Sequence, residues 1–238
     1  DTSNYPRYAL YSGGKDSVTM THYMIDKIDG VLAIDTPIGT PNWKQFIRET
    51  SDKFGWNVQI IQRKDKKTYD DFVRLYGFPH AGAHWLVMRF LKIRPLEDFA
   101  KQFKNKVVFL SGVRFAESKR RFVNVDKIAK IGSLYYEAPL ADWSTKQVFD
   151  YIKQHKLPIS PDYQYIHLSG DCLCGAFSEL GEAELIALFY PEIANRVGCL
   201  EECIKDKKYC KWGNQSTMRG AIKQTRLDDI ICNSCKQS

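Results

Sequence analysis

Six consecutive residues, Ser12-Gly13-Gly14-Lys15-Asp16-Ser17, are of the types that hold phosphate. Paired glycines permit backbone angles that turn successive N–H groups toward one anion. Lys15 adds a full charge, and Ser12 and Ser17 add hydroxyl donors. A helix starting at Lys15 would add about half a positive charge at the same point. The spacing differs from Gly-x4-Gly-Lys-Ser/Thr, so this is not the Walker form of phosphate loop. Tyr11, at the edge of the turn, counts among the expected nucleotide contacts, although Tyr5, Tyr8 and Tyr11 read as strand packing. Asp16 is the odd member, since a carboxylate in an anion loop is repulsive unless a cation intervenes. That oddity points to bound Mg²⁺. Asp35, in the turn Asp35-Thr36-Pro37, is a candidate for the ribose or adenine edge or for Mg²⁺.

All seven cysteines lie between Cys172 and Cys235. Confinement to one segment reads as a metal or cluster site in a reducing compartment, rather than as a secreted disulfide scaffold. Cys172-Leu173-Cys174 and Cys232-x-x-Cys235 are close pairs, and two loops that each give two thiolates complete four ligands. Cys172, Cys174, Cys232 and Cys235 are therefore the expected metal ligands, for an iron–sulfur cluster or zinc. Cys199, Cys203 and Cys210 form a looser set, and unliganded thiols are the plain alternative. His80 and His84 are four apart, but Pro79-His80-Ala81-Gly82 reads as a loop. Substrate contact or plain surface is expected there, not metal.

The elements that must position these residues alternate. A strand over 8–11 leads into the phosphate turn. A helix from about Lys15 to Lys27 follows, with Val18, Met20, Tyr23, Met24 and Ile28 on its apolar faces and Gly30 as breaker. Val31 to Ile34 reads as a buried strand ending at Asp35-Thr36-Pro37. Trp43, Phe46, Ile47, Thr50 and Phe54 form one helical stripe stopped by Gly55, and 57–61 reads as a third strand. Helical stretches are expected over 68–76 and 83–102, the second interrupted by Pro95. Strands follow at 107–111 and 134–137. Ser144 with Gln147 forms a capping box for a helix that Pro158 must end. The expected class is α/β, a doubly wound parallel sheet with a Cys-rich C-terminal subdomain. The boundary is set near 160: a nucleotide-binding domain over 1–160 and a Cys-rich helical metal-binding subdomain over 161–238.

With 238 residues and 44% hydrophobic content, the chain can bury a full core, and no apolar run is long enough for a bilayer span. The N-terminus is polar and lacks the apolar segment of a signal peptide. A cytoplasmic protein without membrane contact is expected. The net charge of +7, from 35 basic and 28 acidic residues, suits phosphate-rich partners, nucleotide or nucleic acid.

The phosphate turn resembles the pyrophosphate loop of N-type ATP pyrophosphatases, the adenine-nucleotide α-hydrolase-like (PP-loop) superfamily. Within it the chain is most similar to the phosphoadenosine phosphosulfate reductase-related branch. Ile34-Asp35-Thr36, then Ser111-Gly112-Val113-Arg114 with Glu117-Ser118 and Arg120-Arg121, and Pro139-Leu140-x-Asp142-Trp143-Ser144 carry that resemblance. It spans residues about 8 to 160. It implies that Gly112 lines the nucleotide and that Arg114 and Arg121 reach its phosphates or sulfate through bidentate donation. It also puts a four-iron cluster ahead of zinc.

Two departures set the functional expectation. The loop is intact, and the Glu-Cys-Gly-Leu-His nucleophile motif of the reductases is absent, the chain ending Ile231-Cys232-Asn233-Ser234-Cys235. The leading expectation is an ATP pyrophosphatase that adenylates its substrate and serves sulfur transfer, such as nucleic-acid thiolation or phosphorothioation. Lys15, Asp16, Arg114 and Arg121 are then the catalytic residues, with nucleic acid, a sulfur-donor protein and a second copy of the chain as candidate partners. The alternatives are a sulfonucleotide reductase and a non-catalytic nucleotide sensor.

Overall fold

The computed structural model describes residues 2–116 and 127–213. The chain divides into two units, residues 1–67 with 89–172, and residues 68–88 with 173–238. The sequence reading broke the chain once, near 160. The observed division lies after Cys172, and it also places 68–88 with the C-terminal part.

The first unit is built on a six-stranded sheet in the order β3-β2-β1-β4-β6-β5. Its strands are β1 (Arg7–Leu10), β2 (Gly30–Ile34), β3 (Val58–Ile61), β4 (Val108–Leu110), β5 (Ile128–Ile131) and β6 (Leu134–Glu137). All pairings are parallel except β5 with β6. β5 is absent from the sequence reading. Its hairpin is closed by Gly132-Ser133, with Gly132 at φ 62°, and a two-residue loop with glycine first is a hairpin signal.

Strand alternation sends side chains to two cores. On one face Ala9, Val31, Ala33, Val108 and Leu110 pack with Val18, Met20 and Met24 of α1 (Lys15–Met24) and with Trp43 and Ile47 of α2 (Trp43–Phe54). On the other, Leu32, Phe109 and Leu134 meet Leu96, Phe99 and Ala100. Helices on both faces make the sheet doubly wound, as expected. The three tyrosines pack on separate partners rather than as one stripe, and only Tyr8 lies within β1. Tyr8 lies against Phe99 with ring centroids 4.8 Å apart, Tyr11 against Trp56 at 5.4 Å and Tyr5 against Tyr135 at 5.6 Å.

In the second unit α3 (Tyr69–Tyr76) opens on the capping box Thr68/Asp71. Residues 84–100 differ from the sequence reading. α4 (His84–Met88) runs into a π-helical stretch, Arg89–Ile93, before α5 (Arg94–Ala100). Pro95 does not interrupt a helix. It lies in the first turn of α5, where a missing N–H costs nothing. The chain is back in the first unit from Arg89 onward. There α6 (Thr145–His155) starts on the expected capping box, Ser144 Oγ accepting from Gln147 N. It ends three residues before Pro158, because Lys156 takes the left-handed C-cap at φ 51°. A short helix α7 (Tyr163–Ile166) follows.

In the rest of the second unit α9 (Pro191–Cys203) packs against both α8 (Glu182–Phe189) and α3. Arg196 pairs with Asp70 at 2.6 Å, Tyr69 donates its hydroxyl to Cys174 O, and Trp212 Nε1 donates to Leu173 O, both at 2.9 Å. His80 stacks on Tyr209 at 4.3 Å and His84 lies against Phe177 at 4.6 Å, so both rings are packed on aromatics. No described helix is long and apolar enough to cross a membrane.

Candidate active site

Strand order reverses at β1, with β2 and β3 to one side and β4, β6 and β5 to the other. In open parallel sheets that reversal opens a crevice at the carboxyl ends, where ligands bind. Two loops flank it, Ser12–Ser17 after β1 and Ser111–Arg114 after β4, and both come from the sequence candidates.

The first turn is shaped for an anion. Gly13 takes φ 86°, a conformation side chains resist, and Gly14 is the extended N-cap of α1 with no side-chain cap bond. The positive end of the helix dipole therefore faces the turn. Three carbonyls of the turn are tied to protein donors. Trp43 Nε1 donates to Ser12 O at 2.8 Å, Ser160 N to Gly13 O at 3.0 Å, and Ser17 Oγ to Gly14 O at 2.9 Å. With these negative ends engaged on protein, the turn is left electropositive on its other side. Ser12 N donates to Ser17 Oγ at 3.2 Å, and the two hydroxyls lie 3.1 Å apart.

The charged residues form a chain. Lys15 Nζ is 2.5 Å from Asp16 Oδ2, and Arg114 Nε is 2.6 Å from Asp16 Oδ1. Arg114 has no solvent-exposed side chain, and its NH1 group donates to Trp143 O at 3.0 Å. Both ion pairs bear on expectations from the sequence. Lys15 and Arg114 lie beside Asp16, so part of its charge is met by the protein's own cations. Arg114 is engaged with the protein behind the turn, where the resemblance implied a reach toward phosphate. Tyr11, the expected contact at the edge of the turn, is 1% exposed in the core, and its backbone N–H bonds Leu32 O at 2.8 Å.

At the carboxyl end of β2, Asp35 pairs with Lys44 at 2.6 Å. Thr36 Oγ1 donates to Asp171 O at 2.5 Å, while Asp171 holds Lys92 and Ser169 through its carboxylate, each at 2.6 Å. Thr40 Oγ1 donates to Asp162 Oδ2 at 2.6 Å. Tyr163 and Ser169 flank Gly14, whose Cβ position would lie 3.1 Å from the tyrosine hydroxyl and 3.4 Å from Ser169 Cβ. Sequence reasoning missed this 160–171 group, having assigned it to a separate subdomain. The one signal it carries is its density of polar residues beside Gly170.

Arg121, Cys232 and Cys235 lie outside the described residues. Of the other expected ligands, Cys174 is buried and Cys172 half-buried, and they fall in different units. Among the described residues no group of three or more His, Cys, Asp or Glu side chains is arranged to hold a metal ion. Among the described residues a cluster has no support beyond Cys172 and Cys174, two of its four expected ligands.

The sequence matches the phosphoadenosine phosphosulfate reductase domain over residues 7–203. The chain belongs to that family. The match includes the phosphate turn, Gly112 and Arg114, so the sulfonucleotide reductase-related resemblance of the sequence holds at the level of family. Phosphoadenosine 5′-phosphosulfate reductase of Proteus mirabilis is 28% identical over 148 residues, 58% of this chain and 57% of that protein. Adenosine 5′-phosphosulfate reductase of Bacillus cereus is 26% identical over 162 residues, 63% and 64% of the two chains. The chain thus spans about three fifths of the length of these curated relatives. Among solved structures, phosphoadenylyl-sulfate reductase of Candida auris in a phosphate complex is 19% identical with a TM-score of 0.49, over 66% of this chain and 76% of that one.

Proposed function

We propose that this member of the reductase domain family binds an adenine nucleotide bearing an anionic 5′ group at the β1/β4 crevice. We propose that it acts there as a sulfonucleotide reductase. The observation that carries the reading is the turn Ser12–Ser17, its carbonyls tied inward, at the point where strand order reverses. Family membership and the activities of the reductases it resembles support the sulfur chemistry over the ATP-splitting expectation.

In such a reaction a thiolate attacks the sulfur of the bound sulfonucleotide. The bond from sulfur to the bridging phosphate oxygen breaks, its electron pair leaves on the nucleotide phosphate, and an enzyme thiosulfonate forms. A dithiol reductant then releases sulfite and is itself oxidised. Lys15 and the backbone of the turn would stabilise the charge gained by the leaving phosphate, an electrostatic role for preorganised donors. Cys172 is the thiol that the first unit supplies among the described residues. It follows Asp171, whose carboxylate and carbonyl are fixed by Lys92, Ser169 and Thr36.

A second reading, ATP cleavage between the α and β phosphates with adenylation of an acceptor, is favoured by one feature. The intact turn has both glycines, Lys15 and both serines, a site suited to a pyrophosphate anion. Nucleic acid, a sulfur donor and a second copy of the chain are partners under that reading.

The deciding experiment is calorimetric titration with adenosine 5′-phosphosulfate, its 3′-phosphorylated form and ATP, followed by product analysis with a dithiol present. Tighter sulfonucleotide binding and sulfite release lost in Cys172→Ser support the reductase. Pyrophosphate release from ATP with no sulfite would replace it by the second reading, and binding of none of the three rejects the site.

A further inference from the structure

The phosphate turn carries a carboxylate, which by Coulomb repulsion should weaken any anion site unless its charge is met elsewhere. Both oxygens of Asp16 have cationic partners, but the two partners differ in kind. Lys15 reaches Oδ2 on a flexible four-carbon stem from the adjacent position in the turn. Arg114 reaches Oδ1 from the β4 loop, 98 residues away in sequence, with a side chain that is fully buried. It is fixed from the other side by Trp143 O at 3.0 Å, with Thr145 Oγ1 at 3.4 Å. Gly112 lets the β4 loop approach this closely, since a Cβ there would lie 2.8 Å from the Asp16 carbonyl carbon. Lys15 is carried on a flexible stem, whereas Arg114 is buried and held by the Trp143 carbonyl.

We infer that Arg114 is a positioning residue acting through Asp16: it keeps the carboxylate neutralised and turned away from the crevice, so that Lys15 can leave Asp16 and pair with the 5′ anion of the nucleotide. Guanidinium is ionised at all relevant pH, so this neutralisation does not depend on a proton. Without Arg114, Oδ1 of Asp16 loses its fixed cation and the carboxylate draws more strongly on Lys15. The lysine is then retained on the carboxylate and is withheld from the nucleotide. The role assigned to Arg114 by family resemblance, direct donation to phosphate, predicts a different pattern of variants. The inference rests on the nucleotide-site reading above, and the test separates the two.

The test is a double-variant cycle on the full chain, with ATP and adenosine 5′-phosphosulfate as probes. Binding is read by calorimetry, and fold by circular dichroism. Removing a charge-assisted bond of this kind should weaken binding by about tenfold or more in Arg114→Met. Adding Asp16→Asn to that variant should recover most of the loss. If Arg114→Met does not fold alone, the comparison is made between Asp16→Asn and the Asp16→Asn/Arg114→Met pair. Equal affinity supports positioning, and a further tenfold loss makes Arg114 a direct ligand and overturns it. A readout independent of nucleotide is the rate of reductive methylation of Lys15, followed by peptide mass spectrometry. It should slow in Arg114→Met and recover in the pair with Asp16→Asn. Where Arg114→Met does not fold, Lys15 should react at the same rate in Asp16→Asn and in the pair, and a different rate in the pair rejects the inference. If the unaltered protein binds neither probe, the nucleotide reading fails while the methylation rates still decide the role of Arg114. Lys15 reactivity indifferent to Arg114 in the presence of Asp16 rejects the inference.

Discussion

Gly112 lies against the backbone of Asp16: a Cβ on Gly112 would come within 2.8 Å of the Asp16 carbonyl carbon and 3.0 Å of Ser17 N. Both contacts are main chain, so neither can swing aside. Gly112→Ala must push the β4 loop off the phosphate turn, at an overpacking cost of about 1–3 kcal/mol. Because Arg114 is two residues on, its reach to Asp16 is lengthened as well. Melting temperature should fall moderately, while nucleotide affinity measured by calorimetry falls by about tenfold or more, the range for loss of a charge-assisted bond. A variant with unchanged affinity would show that the approach of the two loops is not needed for binding.

Lys15 tests the turn from its other end. Lys15→Ala should leave the fold intact, because the helix that begins there keeps its core contacts through Val18, Met20 and Met24. Hydrogen bonds to charged groups are worth roughly 1.5–3 kcal/mol, so affinity for ATP or adenosine 5′-phosphosulfate should drop by an order of magnitude or more. Titration calorimetry on the folded variant checks this, and affinity within twofold of the parent removes Lys15 from the site.

The far end of α1 is sensitive to acid. His22 contacts Tyr151 through Nδ1 at 2.9 Å and lies 4.8 Å, ring to ring, from His155. Burial first, and then His155, push the His22 pKa down, with Asp26 opposing. A depressed folded pKa means the unfolded chain binds more protons between that value and 6.5. The stabilising share is present above pH 6.5 and is lost as pH falls through the folded pKa. Thermal melts should therefore show stability falling below pH 6.5. His155→Gln should lessen that fall, because it removes the repelling partner. A melting profile identical to the parent's would show that the pair is uncoupled.

Glu182, in the first turn of α8, behaves in the opposite sense. Burial raises its pKa to about 7 from an ordinary 4.5. The folded state then holds its proton more tightly than the unfolded chain, so this contribution is full below pH 4.5 and is lost as pH rises toward 7. Glu182→Gln should remove that component and flatten the melting temperature between pH 5 and 7.5. If the variant keeps the full slope, the carboxyl titrates elsewhere in the range.

Residues whose roles are local were legible in the sequence. Gly13, Gly14 and Lys15 announce an anion turn because backbone freedom and charge reside in the residues themselves. The stripe Trp43, Ile47, Thr50 fixes α2 because helical periodicity is a property of neighbours along the chain. Ser144 and Gln147 fix the start of α6 for the same reason. The alternation of strand and helix over 8–61 sufficed for a parallel sheet, and the motif segments sufficed for the family.

The tertiary structure decided which of those parts meet. Strand order, with β4 beside β1 rather than beside β3, is set by pairing across long loops, and no local pattern encodes it. That order brings Arg114 onto Asp16, a pairing between loops that no local pattern announces. It likewise brings Ser169 beside Gly14 and ties Asp171 to Thr36 and Lys92, although composition had placed 161–171 in another subdomain. Pro95 shows the same limit on a smaller scale. Its ring excludes it from a helix interior, yet whether it ends one helix or begins the next depended on where the π-helical stretch 89–93 let the chain restart. Residue chemistry is carried by the sequence position by position, whereas the partner of a charge is chosen by packing between segments that periodicity cannot relate.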